Sequence, residues 1–273
     1  GVTGQDGSYL SESFLNDGWQ VHGLIRRSSS LRRERIDHLA DESDNFKSKI
    51  SLHYSNLTDS ISFSNILDDI NPSIVINLAA QSHVGISFQN PMETIQTNGT
   101  SVLNQLESIK KFNPNIIYYQ AGTSEMFGGL LGRKTLREDS SFFPKSPYAI
   151  SKLMAHKLVE MYRERTIEYA HNGILFNHES PRRSENFVSR KISLAAARIA
   201  LGLQEKLLLG NVNAVRDWGH ARDYVAAIRK IVESNLKGEN WVVATGESKS
   251  VEEFAFQAFS VLNLDYTKHL IID

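Results

Sequence analysis

The chain has 273 residues, 41% of them hydrophobic and 22% charged, with a formal net charge of -1. That length holds one large α/β domain or a domain with a smaller companion, and the near-neutral charge argues against a dedicated nucleic-acid binder. The absence of cysteine excludes disulfides, thiolate metal sites and a Cys nucleophile and fits a cytoplasmic protein; no apolar run reaches membrane-spanning length, and no signal peptide is visible.

The chain opens on a glycine-rich turn, Gly1 to Gly7 (GVTGQDG), followed by Leu10, Phe14 and Leu15 at helical spacing over Ser8 to Asp17. A turn of this kind entering a helix brings backbone N–H groups close to a pyrophosphate. No residue precedes Gly1 and no Met opens the chain, so the sequence reads as a fragment that lacks the first strand. Val21 to Ile25 predicts a strand, Ser51 to Asn56 another, and Ser60 to Ile70 a helix ending before Pro72. Ser73 to Ala80 (SIVINLAA) has the β-branched, apolar character of a strand buried on both faces. A helix over Thr94 to Lys111 and a strand over Asn115 to Ala121 follow, then a long helix from about Tyr148 and a strand over Gly173 to Asn177. Beyond it, His178 to Arg190 reads as a loop, Ile192 to Leu201 as a helix and Lys206 to Leu209 as a short strand. Ala221 to Ser234 is a helix, Asn240 to Thr245 a strand and Val251 to Leu262 a last helix. This alternation predicts an α/β fold, a doubly wound parallel Rossmann sheet with a smaller α/β substrate-binding domain. The expected division gives residues 1–178 and about 215–246 to the dinucleotide-binding domain, and about 179–214 and 247–273 to the smaller one.

The chemistry sits at predicted strand ends. An NAD-type turn expects an acidic residue about 20 positions on, but the second strand here ends in Arg26-Arg27-Ser28-Ser29. Guanidinium groups pair with a 2′-phosphate that a carboxylate would repel, so the cofactor is expected to be NADP. The alternative is that the run Arg26 to Arg35 is a solvated basic face. Tyr148 and Lys152 stand four apart, on one face of a helix, with the ammonium placed to lower the phenol pKa from its usual value of about 10. With Thr123 and Ser124 beyond a strand end, they form a constellation for hydride transfer from a sugar hydroxyl. The alternative is a packing role for the tyrosine. Glu125 adds a base for removing a proton next to a carbonyl, unless it is merely a surface loop residue. His22, His53 and His83 lack metal-ligand spacing, and no metal site is expected.

The motifs GVTGQDGSYL, RRSSS, NLAAQSHV, TSEMFG, SPYAISK, NHESPRR and RDWGHARDYV stand together in the order found in one family. The chain resembles the extended short-chain dehydrogenase/reductases, and within them the GDP-mannose 4,6-dehydratases. The resemblance implies Thr123, Glu125, Tyr148 and Lys152 as the catalytic set. It implies cofactor contacts from Gly1, Thr3, Gly4, Gln5 and Asp6, from Arg26, Arg27, Ser28 and Ser29, and from Asn56 and Leu57. Leu78, Ala79, Ala80, Gln81, Ser82, Lys152, His178 and Arg183 complete that set. Asn177, Val188, Lys191 and Arg216 are implied near the GDP-sugar, and a homo-oligomer, tetramer or dimer, is implied with the RRSSS region at an interface. Three departures from the family pattern stand out: Asn56 for an Asp, Glu93 for a Tyr, and Ser184-Glu185 for Gly-Ala. The activity implied is that of a lyase, the NADP-dependent loss of water from GDP-mannose to give GDP-4-keto-6-deoxymannose. A related nucleotide-sugar reductase or epimerase would need Tyr148 and Lys152 without Glu125. A non-catalytic NADP-binding protein would need none of the catalytic set.

Overall fold

A computed structural model describes residues 1–27, 33–40, 49–129 and 135–272. Helix α1 (Gln5–Asn16) leaves the glycine turn, three residues earlier than the hydrophobic spacing indicates, because Gly4 already serves as its N-cap. Strands β1 (Val21–Ile25) and β2 (Ile50–Tyr54) pair in parallel. Helix α2 (Ser60–Ile70) starts where the Asp59 carboxylate accepts bonds from the N–H groups of Ile61 and Ser62, and ends at Asn71 in the left-handed conformation.

A four-stranded parallel sheet follows, in the order β3 (Ile74–Asn77), β4 (Ile117–Ala121), β5 (Ala170–Leu175), β9 (Asn240–Val243). Only Asn77 of β3 is fully buried, against the expectation of a strand covered on both faces, because β3 is the edge of this sheet. Gly1 and Val2 lie between the two sheets. A Cβ on Gly1 would come within 2.8 Å of the Ala79 nitrogen beyond β3, and one on Gly23 of β1 would meet the Val2 side chain at 2.8 Å.

The expected helix over Thr94 to Lys111 is broken into pieces. Helices α3 (Val84–Gln89) and α4 (Pro91–Ile95) precede a π turn at Gln96–Thr100, and α5 (Ser101–Phe112) completes the run. The π turn frees Asn98, whose side chain exchanges hydrogen bonds with the backbone of Gln81 and donates to the Ser151 hydroxyl. Helix α6 (Pro147–Arg165) has proline at its first position and Ser146 as its cap, accepting from the Ala149 N–H.

Two cores cover the two faces of the sheet. Tyr118 and Tyr119, adjacent on β4 and fully buried, point into opposite ones. One core joins Tyr9, Leu10 and Phe14 of α1 to Tyr224, Val225 and Ile228 of α8 (Ala221–Glu233). The other joins Leu67 of α2 to Leu106 and Ile109 of α5 and Val159 of α6. A third core lies away from the sheet, between α7 (Val188–Ala200) and α9 (Val251–Ser260), and includes Ile192, Leu207 and Phe259.

Short strands connect the third core to the rest, and most of them carry no periodic signal. β6 (Asn177–Glu179) runs through the stretch read as a loop; β8 (Val215–His220) pairs with it in parallel and with β10 (Ser248–Ser250) in antiparallel. β7 (Leu207–Leu209) pairs with β11 (Leu270–Ile272). Helix α7 starts at Val188, a turn before the predicted Ile192. No helix among the described residues is long and apolar enough to cross a membrane.

Leu106 is fully buried in the core between α5 and β4. Leu106→Ala is expected to cost about 2–5 kcal/mol in a urea unfolding experiment, the range for a leucine-sized cavity that relaxes only in part.

Candidate active site

Strand and helix ends converge where the sequence places the chemistry. The glycine turn closes through the Gly4 N–H donating to the Gly1 carbonyl at 3.0 Å. A Cβ on Gly7 would lie 2.2 Å from that carbonyl oxygen, so the turn admits only glycine there. Gly4 supplies no side-chain cap to α1, which leaves the first N–H groups of the helix for an anion.

The turn is held from behind by the segment after β5. Gln5 donates to the His178 carbonyl at 3.0 Å and accepts from the Ser180 hydroxyl at 2.8 Å. His178 reaches Asp6 at 2.8 Å and stacks on Tyr224 with ring centroids 4.4 Å apart. Arg183 pairs with Glu179 at 3.0 Å and lies over the Phe187 ring. Arg35, which composition does not mark out from its basic neighbours, donates to the Thr3 and Arg182 carbonyls. Arg182 pairs with Glu12 and covers the Tyr9 ring. Arg26 and Arg27 are exposed past the end of β1; Ser28 and Ser29 lie outside the described residues. Exposed Asn56 turns its amide oxygen to the Thr58 N–H, next to half-buried Leu57. Leu78 to Ser82 pass beside Gly1, pinned through Gln81 and Asn98 to Ser151 of α6. Glu93 is exposed on α4, and Ser184-Glu185 precede α7, with Glu185 loosely paired to Arg198 at 3.8 Å.

Thr123 follows β4 and caps a short 3-10 turn by accepting from the Glu125 N–H at 3.3 Å. That local geometry explains the Thr-x-Glu spacing: the capping hydroxyl and the carboxylate leave the same turn. Tyr148, at the start of α6, faces the Thr123 hydroxyl and feels the Glu125 charge. Burial pushes its phenol up to about 12, partly offset by the Thr123 bond. The Lys152 ammonium donates to the Ala121 carbonyl at 2.8 Å, and burial pulls it down to about 8. The sequence placed that ammonium beside the phenol as the group lowering its pKa. In the structure burial dominates the phenol, and the lysine is held by the last carbonyl of β4.

Arg216 brings the third core to this centre. From β8 its guanidinium reaches Glu125 at 3.6 Å and donates to the Val215 carbonyl. Asn177 stands on β6, Val188 is the first residue of α7, and Lys191 is exposed on the next turn of α7. Asp217, adjacent to Arg216, stands in the RDWGHARDYV motif, but the motif alone assigns it no role. It is buried and accepts from the Thr245 N–H and hydroxyl and the Gly246 N–H, which fixes β8 against the loop after β9. An open cavity of about 820 Å³ lies elsewhere, lined by Glu138, Phe142, Lys157, Glu160, Arg163 and Glu239 among others. None of the candidate catalytic groups lines it, and convergence of reactive groups is the better guide to the site than cavity size.

The family model described as GDP-mannose 4,6 dehydratase matches residues 1–270. GDP-mannose 4,6 dehydratase 1 of Arabidopsis thaliana is 49% identical, the alignment covering 100% of this chain and 76% of that protein. The GDP-mannose 4,6-dehydratase of Vibrio cholerae is 45% identical, over 93% of this chain and 68% of that one. Among solved structures, dTDP-glucose 4,6-dehydratase from Bacillus anthracis in complex with NAD superposes with a TM-score of 0.85 at 20% identity, covering 100% of this chain and 83% of that one. RMD from Pseudomonas aeruginosa complexed with NADPH gives 0.80 at 21%, with 100% and 83% covered. These structures establish a Rossmann-type α/β fold. The match along residues 1–270 and the identity to both relatives establish more: the chain belongs to the GDP-mannose 4,6-dehydratase family.

Proposed function

We propose that the chain dehydrates GDP-mannose to GDP-4-keto-6-deoxymannose with NADP as a cofactor that is regenerated in each turnover. Besides family membership, the observation that carries this reading is the meeting of Thr123, Glu125 and Tyr148 at the end of β4, with Arg216 reaching in from β8. The cofactor would lie over the Gly1–Asp6 turn, whose uncapped helix end fits a pyrophosphate. Arg26 and Arg27, with Ser28 and Ser29, would take its 2′-phosphate. Bound there, the nicotinamide would supply a hydride acceptor and return the hydride later.

Tyr148 takes the proton of the C4 hydroxyl, and Thr123 hydrogen-bonds the same oxygen. With C4 a ketone, the C5 proton is acidic; Glu125 removes it and then protonates the C6 hydroxyl as it departs as water. That leaves a C5–C6 double bond, to which the returned hydride would add at C6 while the proton taken by Tyr148 goes to C5. Lys152, fixed on the Ala121 carbonyl, keeps a cation at the base of the site. Lys191 and Arg216 hold the diphosphate, with Asn177 and Val188 beside the nucleotide. Arg216 is shared between the diphosphate and Glu125, which ties substrate binding to the base. Residues 1–178 and about 215–246 form the cofactor part, and about 179–214 and 247–273 the substrate part. The working form is a homo-oligomer in the cytoplasm.

Mass spectrometry of GDP-mannose incubated with the protein and NADP⁺ tests the reaction: the product is expected 18 Da lighter, the mass of one water, by the stoichiometry of carbon-acid elimination. Glu125→Gln is expected to abolish water loss while leaving NADP⁺ affinity within a few-fold. Stoichiometric NADPH consumption with the 6-hydroxyl retained would replace this reading with a reductase. Removing both guanidinium groups (Arg26→Ala with Arg27→Ala) is expected to weaken NADP⁺ roughly 10–100-fold and NAD⁺ far less, as for loss of charge-assisted bonds; calorimetric titration reads the ratio.

Lys152 carries a stability signature as well. Its folded pKa lies below that of the unfolded chain, so at pH below about 8 the fold bears the cost of a buried ammonium, and the cost fades as pH rises toward 10.5. Lys152→Met is therefore expected to be inactive yet more stable by roughly 1–3 kcal/mol at pH 7. Urea unfolding across pH 7 to 10 should show that gain shrinking.

A further inference from the structure

Asp6 is the second residue of α1, in the first turn of a helix whose uncapped end is read above as the seat of a pyrophosphate. A carboxylate there opposes an anionic ligand. The structure gives it a partner 172 residues away in sequence: His178, whose Nε2 lies 2.8 Å from Asp6 Oδ2. The other ring nitrogen, Nδ1, lies 2.7 Å from the Phe176 carbonyl oxygen. Both ring nitrogens therefore face acceptors. A neutral imidazole has one N–H and one lone pair, and either tautomer would set that lone pair against an oxygen. Only the imidazolium donates to both.

We propose that protonated His178 is a positioning residue that neutralises Asp6 at the start of α1, so that the dinucleotide binds tightly only while the ring carries both protons. The inference rests on the reading of the Gly1–Asp6 turn as the NADP site, and it adds a charge requirement to that reading.

The groups facing the pair leave His178 as the one that changes charge on the alkaline side. Glu179 and Arg183, on the strand and loop that follow, pair with each other. Tyr224 of α8 is stacked on the ring, and Tyr119 of β4 faces Asp6; burial pushes both phenols well above their ordinary range. Gly219 and the exposed His220 of β8 flank the register of β6, and His220 accepts from the Arg222 N–H. Burial alone would raise Asp6 and lower His178. The mutual charge and the shared bond outweigh it, holding the carboxyl below and the imidazole above their usual values.

The sign follows. Below the raised His178 value the pair is neutral; above it Asp6 loses the charge of its partner, which adds one negative unit facing the phosphates. NADP⁺ affinity is expected to fall on the order of 10–100-fold as pH rises through that value, the scale of one unscreened charge at close range. By reciprocity, NADP⁺ should move the His178 titration upward.

Calorimetric titration of NADP⁺ from pH 6 to 9.5 tests this on four proteins. Wild type should weaken more steeply across this range than Asp6→Asn does. Asp6→Asn should keep only the shallower pH dependence contributed by Lys152 and the 2′-phosphate, so its profile subtracts both. His178→Gln should bind weakly throughout, and adding Asp6→Asn to it should restore affinity to within a few-fold of wild type at pH 6. A histidine-labelled NMR titration of wild type, which needs no variant to fold, should show His178 still an imidazolium at pH 7. A wild-type profile no steeper than that of Asp6→Asn, a double variant as weak as His178→Gln, or a neutral His178 at pH 7 would each overturn the inference. No NADP⁺ binding by wild type at any pH would overturn the cofactor reading and this inference with it.

Discussion

Strand β4 has to satisfy both faces of the sheet and also deliver the reactive turn. Tyr118 and Tyr119 occupy the two cores, and the Tyr118 hydroxyl is bonded to Gln105 and Gln120. Because those bulky rings cannot move without opening a core, the end of the strand is fixed. Ala121 then offers its carbonyl to Lys152, and Thr123 and Glu125 leave on the turn that follows. The rigidity that catalysis needs is inherited from packing in the middle of the protein.

Tyr148 and Lys152 lie in the buried part of the site, and their charges lean accordingly. The phenol of Tyr148 and the ammonium of Lys152 are both driven toward their neutral forms by burial. Groups in this condition respond strongly to any charge brought alongside, because little water screens it. Glu125 differs: it is half-buried and shares its charge with Arg216 across the opening to the third core. The carboxylate and the phenol thus come from the same neighbourhood but from different dielectric surroundings.

Much of this was legible from the chain. The βαβ alternation, the glycine turn, and the Tyr148–Lys152 pair all follow from local periodicity and spacing, and the Ser60 to Ile70 helix ends before Pro72 as expected. What escaped is what only tertiary contact creates. β6, β8 and β10 are three to six residues long and carry mixed side chains, and β11 is three apolar residues too short to show a period; they are strands because a neighbour pairs with them. The break at Asn98 looks like ordinary helix in sequence, since its purpose is to bond Gln81 and Ser151. The partnership of Asp6 with His178 spans most of the chain, and no spacing rule reaches that far. Lys152 was correctly placed one helical turn from Tyr148, but its bond to the Ala121 carbonyl depends on the distance between α6 and β4.

The order of strands in the sheet has a consequence for how the protein is made. β5 is flanked on one side by β4, already synthesised, and on the other by β9, which comes after the whole of α7, β7, β8 and α8. At about 5–20 residues per second on the ribosome, one edge of a fully buried strand waits several seconds for its neighbour. Throughout that interval the nascent chain presents an open row of peptide groups next to an apolar surface, the condition in which strands recruit the wrong partner. A holding chaperone acting between emergence of β5 and of β9 would meet its natural target there.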